Sequence, residues 1–335
     1  ITLGVRVLLG SDERTGGAFD WIGSATLLAG LLSLLLGLNQ IQRLGLISPV
    51  VIALVVLGLG LLLTFARRQF TTPEPTIDPA LFQVPDFTTA AVAGYLTFAG
   101  MATQILLLPF YLQYTLNLPI QQIGLIMVVV PALMGILGTP AGILADRTSA
   151  RVVGSSGILI SAIGLALLGT LSSDTPPLMI GLRLVVIGIG YALFNSGNSS
   201  TLLGAADISN RNQASAVLAL ARNLGQSTGQ ALWGTIWASI VILQFGQSNP
   251  DNMSGPEAVQ AFRIVFGIGA IVVLVGALVS IRSRSIKSDS EQVHQIDASK
   301  STTCPELPES TRSSSGSASG RNGSGEPSPA TRRNC

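Results

Sequence analysis

Charge is scarce in this chain. Asp, Glu, Lys and Arg make up 11% of its 335 residues, against about 25% in an ordinary soluble domain. Histidine occurs once, as His294, and the two cysteines, Cys304 and Cys335, share the same polar C-terminal stretch. That count excludes histidine metal sites and Ser–His or Cys–His catalysis within the apolar part of the chain, and it supports neither a metal-spacing motif nor a disulfide framework. Carboxylates are missing from the depth of every long apolar run: Asp20, Asp146 and Asp207 stand at the edges of such runs. A glycine-rich phosphate loop is absent, so the sequence gives no sign of ATP drive. The net charge of +2 is scattered through loops, so no nucleic-acid partner is expected. Neither a cofactor nor a signal peptide is indicated. The chain begins at Ile1 rather than Met, and the expectation is a fragment lacking its N-terminal part.

What is present is apolar length. Hydrophobic residues make up 48% of the chain. A helix crossing the hydrocarbon core needs about 20 mostly apolar residues. Eight stretches qualify, near 21–40, 47–66, 88–113, 122–145, 152–171, 178–202, 215–243 and 260–281. They must be helices, because an open chain in lipid has to satisfy its backbone internally. The expected fold is an all-α membrane protein with eight transmembrane helices. If residues 1–20 are cytoplasmic, the cytoplasmic segments hold Arg6, Arg14, Arg67, Arg68, Arg147, Arg151, Arg211 and a basic tail, and the opposite loops hold only Arg43. Arg183 and Arg263 fall inside spans close to that opposite surface. This asymmetry predicts both termini on the cytoplasmic side. The segment 67–87, with Pro73, Pro75, Pro79 and Pro85, reads as a cytoplasmic linker with an amphipathic piece at Leu81–Phe82 lying at the interface. Residues 286–335 are rich in Ser, Gly, Pro and Thr and read as a disordered cytoplasmic tail.

Polar residues inside apolar runs are the candidate working parts, because intramembrane charge is costly. Arg222 lies well inside the seventh run and shares one helical face with Gln226 and Gln230, which predicts an orientation toward the bundle interior. Lining of a transport cavity and a snorkelling arginine with interhelical hydrogen bonds both fit this stripe. Gln104, flanked on its own face by Thr97 and Tyr111, and Asn195 with Asn198 are further cavity candidates; structural hydrogen bonding explains them equally well. Gly138 with Gly142, and Gly225 with Gly229, have the small-xxx-small spacing of close helix packing. Pro131 and Pro140 within one run predict a bent helix.

The loop Pro140-Ala-Gly-Ile-Leu-Ala-Asp-Arg-Thr-Ser-Ala-Arg151 joins two apolar runs. Its Gly142, Leu144, Ala145, Asp146, Arg147 and Arg151 resemble the Gly-x-Leu-Ala-Asp-Arg-x-x-x-Arg loop of the major facilitator superfamily. Ala150 stands where that loop usually has Gly. Phe19-Asp-Trp-Ile-Gly23, Pro79-Ala-Leu-Phe82, Pro109-Phe-Tyr-Leu-Gln113 and Arg222-Asn-Leu-Gly-Gln-Ser-Thr-Gly229 resemble the fourteen-span drug:proton antiporter branch (EmrB/QacA type). The resemblance covers about residues 15–285. It implies that residues 1–20 end a preceding segment, 21–66 form two linker helices and 88–285 form the six-helix C-terminal bundle, with the N-terminal half of the transporter missing. In that setting Gly142, Asp146, Arg147 and Arg151 would form a conformational loop motif, Asp146 and Arg147 pairing at helix ends.

The resemblance further implies a bacterial cytoplasmic membrane, an amphipathic drug-like substrate and protons as coupling ion. The proton-carrying carboxylate would then lie in the missing half, since this portion has none at depth. The alternative is a truncated membrane protein or assembly subunit without a transport path of its own. A membrane enzyme is a distant third reading, since no cluster of catalytic residue types is present.

Overall fold

The computed structural model describes residues 20–45, 47–72, 77–207, 210–245 and 256–282. The chain divides at residue 285. The segment before Asp20, the basic tail with Cys304, Cys335 and His294, and most of the 244–259 loop lie outside the described residues. So does the Arg43 side chain.

All regular structure among the described residues is helical. Two helices, α1 (Trp21–Leu44) and α2 (Pro49–Gln69), form an antiparallel hairpin. Gly45 turns the corner with φ of 80° while its N–H closes the last turn on Ile41, a backbone region open to glycine at little cost. At the other end of the hairpin Asp20 caps α1 by accepting from the Gly23 N–H at 2.9 Å. The same carboxylate receives Arg68 Nε and Nη2, each at 3.1 Å. The Arg68 hydrogen bonds, and next the Gly23 N–H, hold the Asp20 carboxyl below its ordinary pKa, so the hairpin tie stays charged at neutral pH.

A 3₁₀ turn (Pro79–Gln83) leads into α3 (Pro85–Phe110). Leu81 is buried beside Phe65, Phe87, Ala214 and Val217, while Phe82 stays exposed and meets Phe87 edge-on. Pro109 lacks the N–H that would bond back to Ile105. The helix rewinds just beyond it as a π-turn over Tyr111–Thr115. Asn117 then takes a positive φ of 50° and Pro119 precedes α4 (Ile120–Met127). A one-residue break at Val128 separates α4 from α5 (Val129–Arg147). Pro131 explains the break, since its ring excludes the Met127 carbonyl from the ladder. Pro140 sits inside α5 without interrupting it. The remaining helices are α6 (Ala150–Leu168), α7 (Pro177–Gly204), α8 (Arg211–Phe245) and α9 (Pro256–Arg282).

Among the described residues seven helical segments are long and apolar enough to cross a membrane, with Pro85–Thr115 and Ile120–Arg147 each counted as one span across its π-turn or break. The seventh of the eight expected spans, now α8, falls short of that measure because Arg222, Asn223, Gln226, Ser227 and Gln230 dilute its apolar content.

In lipid, apolar side chains gain little by leaving one apolar medium for another, so helix pairs are held by close packing and hydrogen bonds. The α6–α7 seam shows this best. A Cβ at Gly157 would run into the Phe194 backbone N and lie 2.6 Å from the Gly190 carbonyl; one at Gly190 would lie 2.6 Å from Ser161 Oγ. Gly154 and Gly197 abut each other in the same way. The α3–α8 seam is built alike: a Cβ at Gly225 would sit 2.7 Å from the Tyr95 carbonyl and one at Gly229 2.8 Å from Ala102 Cβ. Trp233, 1% exposed, donates from Nε1 to the Ala99 carbonyl at 2.7 Å, tying the two helices. Trp233→Phe keeps an aromatic ring but loses the bond and part of the indole's volume, and the thermal midpoint in detergent should fall by the equivalent of about 1 kcal/mol for the bond plus the cost of the cavity left behind.

Gly138 and Gly142 behave differently from Gly225 and Gly229. A Cβ at either would meet nothing within 4 Å. Only 6% of the most apolar 18-residue window of the α4–α5 stretch is buried, and no partner for the expected packing of this pair lies among the described residues. The Gly138 carbonyl instead accepts from Ser196 Oγ at 3.2 Å.

Candidate functional site

Arg222 rises from the middle of α8 and crosses to α7, where Nη2 donates to Asn195 Oδ1 at 2.7 Å. Its guanidinium carbon lies 5.3 Å from the centre of the Phe98 ring on α3. A cation over an aromatic face is attracted by the ring quadrupole, more so where water is thin. Phe98 in turn meets Phe194 and Tyr191 edge-on, at 5.2 and 5.9 Å between centroids. Tyr191 lies beside Gln226 and within electrostatic reach of Arg222. Three helices thus converge on one cation: α8 supplies Arg222 and Gln226, α7 supplies Asn195, Tyr191 and Phe194, and α3 supplies Phe98. Among the described residues no carboxylate pairs with Arg222, and its buried Nε has no acceptor. The site can therefore stabilise a further acceptor or negative group.

The other candidates are placed elsewhere. Gln230 is half-buried one turn beyond Gln226. Gln104 is 3% exposed within the bundle on α3. Of its face-mates, Thr97 packs on Gly276 of α9, and Tyr111 donates to the Ser172 carbonyl at 2.6 Å. Asn198 lies one turn along α7 from Asn195 and reaches Gly94 of α3. Its buried Nδ2 has no partner, and it lines a water-sized recess with Arg151, Thr89 and Ser280. Tyr95 and Thr228, which no spacing marked out, join α3 to α8 by a hydroxyl pair at 3.0 Å.

The loop motif divides. Arg151 pairs with Asp86 in the first turn of α3. Asp146 and Arg147 are exposed and make no ion pair among the described residues. Arg151, one helix later, is the member of the motif that holds the bundle end. Reversing both charges in Asp86→Arg with Arg151→Asp should restore most of the thermal stability that either single reversal removes. Melting curves of the single and double variants decide whether the two residues are coupled.

Comparison with known proteins places this arrangement. The sequence profile of the Major Facilitator Superfamily matches residues 90–313, and the chain belongs to that family of membrane transporters. It is 31% identical over 218 residues to the uncharacterized transporter YebQ of Escherichia coli K12, covering 65% of this chain and 46% of that one. It is 27% identical to the riboflavin transporter RibZ of Clostridioides difficile, over 68% of this chain and 49% of that one. It is 25% identical to the multidrug efflux pump LfrA of Mycolicibacterium smegmatis, over 81% and 53%. The chain spans about half the length of these curated relatives.

Proposed function

We propose that this chain is the C-terminal portion of a proton-driven exporter of amphipathic drug-like compounds, of the fourteen-span branch. The Arg222 cluster carries the reading. A cation in mid-helix is costly in lipid, and here three helices hold it with a neutral amide and an aromatic face rather than a carboxylate, so it keeps binding capacity. The aromatic residues around it suit the flat apolar part of a ligand, and the guanidinium suits an acceptor group. Relatives named as a multidrug efflux pump and a riboflavin transporter support an organic substrate of this kind.

On this reading α8 is the seventh of eight spans, its polar stripe sheltered by α3 and α7. The hairpin α1–α2 is the linker pair, and α3–α9 form the six-span bundle. The Asp20 end of the bundle, with Arg67, Arg68, Arg147, Arg151, Arg211 and Arg282, faces the cytoplasm of a bacterial cell. Transport rocks this bundle against a second one around a midplane site, and the coupling carboxylate belongs to that second bundle. Asp146 and Arg147, unpaired in the present arrangement, engage in the other conformation. Asp146→Asn should then leave the melting midpoint of the chain unchanged and lower efflux by the complete gene product. Unchanged efflux would reduce the motif to a surface loop.

A further inference from the structure

We infer that residues 77–83 are a strap that locks the α1–α2 hairpin to the bundle α3–α9, so that hairpin and bundle move as one body. Two helices joined to a bundle by chain alone could swing or slide in the bilayer. Three features of this chain oppose that.

The hairpin is stiff in itself. A Cβ at Gly58 of α2 would lie 2.7 Å from the Leu34 backbone N of α1, and one at Gly37 of α1 would lie 2.9 Å from Val55 Cγ2 of α2. The Asp20–Arg68 pair ties the two helices at one end. The second feature is the strap at that same end. A backbone N–H buried outside a helix needs an acceptor from somewhere, and two glutamines supply it. Gln69, the last residue of α2 and 6% exposed, accepts from the Ile77 N–H at 3.1 Å. Gln213, in the first turn of α8, accepts from the Asp78 N–H at 2.6 Å. Successive strap amides are thus held one by the hairpin and the next by the bundle. Ile77 and Leu81 are buried beside them, in one cluster with Phe65 of α2, Phe87 of α3 and Ala214 of α8.

The third feature is a contact at the far end of the hairpin. Ile41 of α1 and Val51 of α2 pack with Ala231 of α8. Ala231 is seventeen residues beyond Ala214, or about 25 Å along the helix axis. A body held at one point can pivot there; one held at two points that far apart on a single helix cannot. The far contact is apolar in an apolar medium and weak by itself, so the strap is the fastening that decides. The attachment is a property of this chain. Its consequence, that the hairpin rides with the bundle during transport, rests on the two-bundle reading above.

Pulsed dipolar EPR on the full chain in phospholipid vesicles tests the lock, with Cys304→Ser and Cys335→Ser leaving only introduced cysteines. Spin labels at Leu59→Cys on α2 and Ile271→Cys on α9, both exposed positions, report hairpin against bundle. Labels at Ile163→Cys on α6, also exposed, and Ile271→Cys report the bundle alone. The two distance distributions should be equally narrow. Gln69→Ala with Gln213→Ala removes both acceptors and should widen the hairpin distribution about twofold while the bundle pair stays narrow. A hairpin distribution already broader than the bundle pair in the unmutated strap overturns the lock, and this arm needs no strap variant to fold. A hairpin distribution that stays narrow in the double variant shows that the strap is not the fastening and overturns it too. In the complete gene product the Leu59–Ile271 distance should not change when a proton gradient is imposed with dye present; a shift overturns the one-body inference. Lack of dye uptake would strike the transport reading instead, and the measurement on the chain would still decide the lock.

Discussion

Arg222→Ala should lower transport by the complete gene product about ten- to a hundredfold, the equivalent of one lost charge-assisted hydrogen bond of about 1.5–3 kcal/mol. The substitution removes the bond to Asn195 at 2.7 Å and the cation above Phe98 at 5.3 Å. It also strands the Asn195 amide between helices. Membrane insertion should not suffer, because α8 becomes more apolar. Arg222→Lys keeps the charge and loses the planar fork that reaches an amide on one side and a ring on the other, and should recover only part of the rate. Arg263 is the internal control. It is exposed and donates from Nε to the Gly169 carbonyl at 3.2 Å; Arg263→Ala should stay close to wild type. Initial efflux rates at matched expression give the comparison. A more damaging Arg263→Ala would remove the transport role from Arg222.

Gly157→Leu should be the most destabilising substitution in the bundle. A side chain there meets the backbone N of Phe194 and the carbonyl of Gly190, and backbone cannot rotate out of the way as a side chain can. The helices α6 and α7 must separate, and Gly154 against Gly197 loses contact with them. Overpacking costs about 1–3 kcal/mol where side chains yield, and occasionally more; a backbone collision belongs at or above the top of that range. Gly181→Leu, on α7 with nothing within 4 Å of its Cβ direction, should melt near wild type. Thermal unfolding in detergent, followed by loss of monodisperse protein, separates the two. A Gly157 variant as stable as the Gly181 variant would mean that α6 and α7 are not in contact as described.

The helices were legible because bilayer thickness imposes a length that composition reveals. The stretch 152–171 became α6 at Ala150–Leu168 and the stretch 178–202 became α7 at Pro177–Gly204. Pro131 announced the break at Val128, whereas Pro140, chemically the same signal, left α5 whole. The sequence marked Arg222 as a costly residue through its depth in an apolar run. Asn195 and Phe98, its partners, lie 27 and 124 positions earlier, and no spacing rule connects residues on different helices. The same reason hides Asp86 from Arg151. The Gly154–Gly157–Gly164 run against Gly190 and Gly197 was readable in principle, since small residues recur on one helical face, but spacing alone does not separate it from Gly138 and Gly142, which have no neighbour within 4 Å among the described residues.

The most direct test of the transport account is dye accumulation in inverted membrane vesicles carrying the complete gene product, with a fluorescent amphipathic dye and an imposed acid-inside gradient. The account predicts uptake that begins with the gradient, collapses on adding a protonophore and is nearly lost in Arg222→Ala. Uptake that ignores the gradient, or that proceeds unchanged in Arg222→Ala, would contradict it.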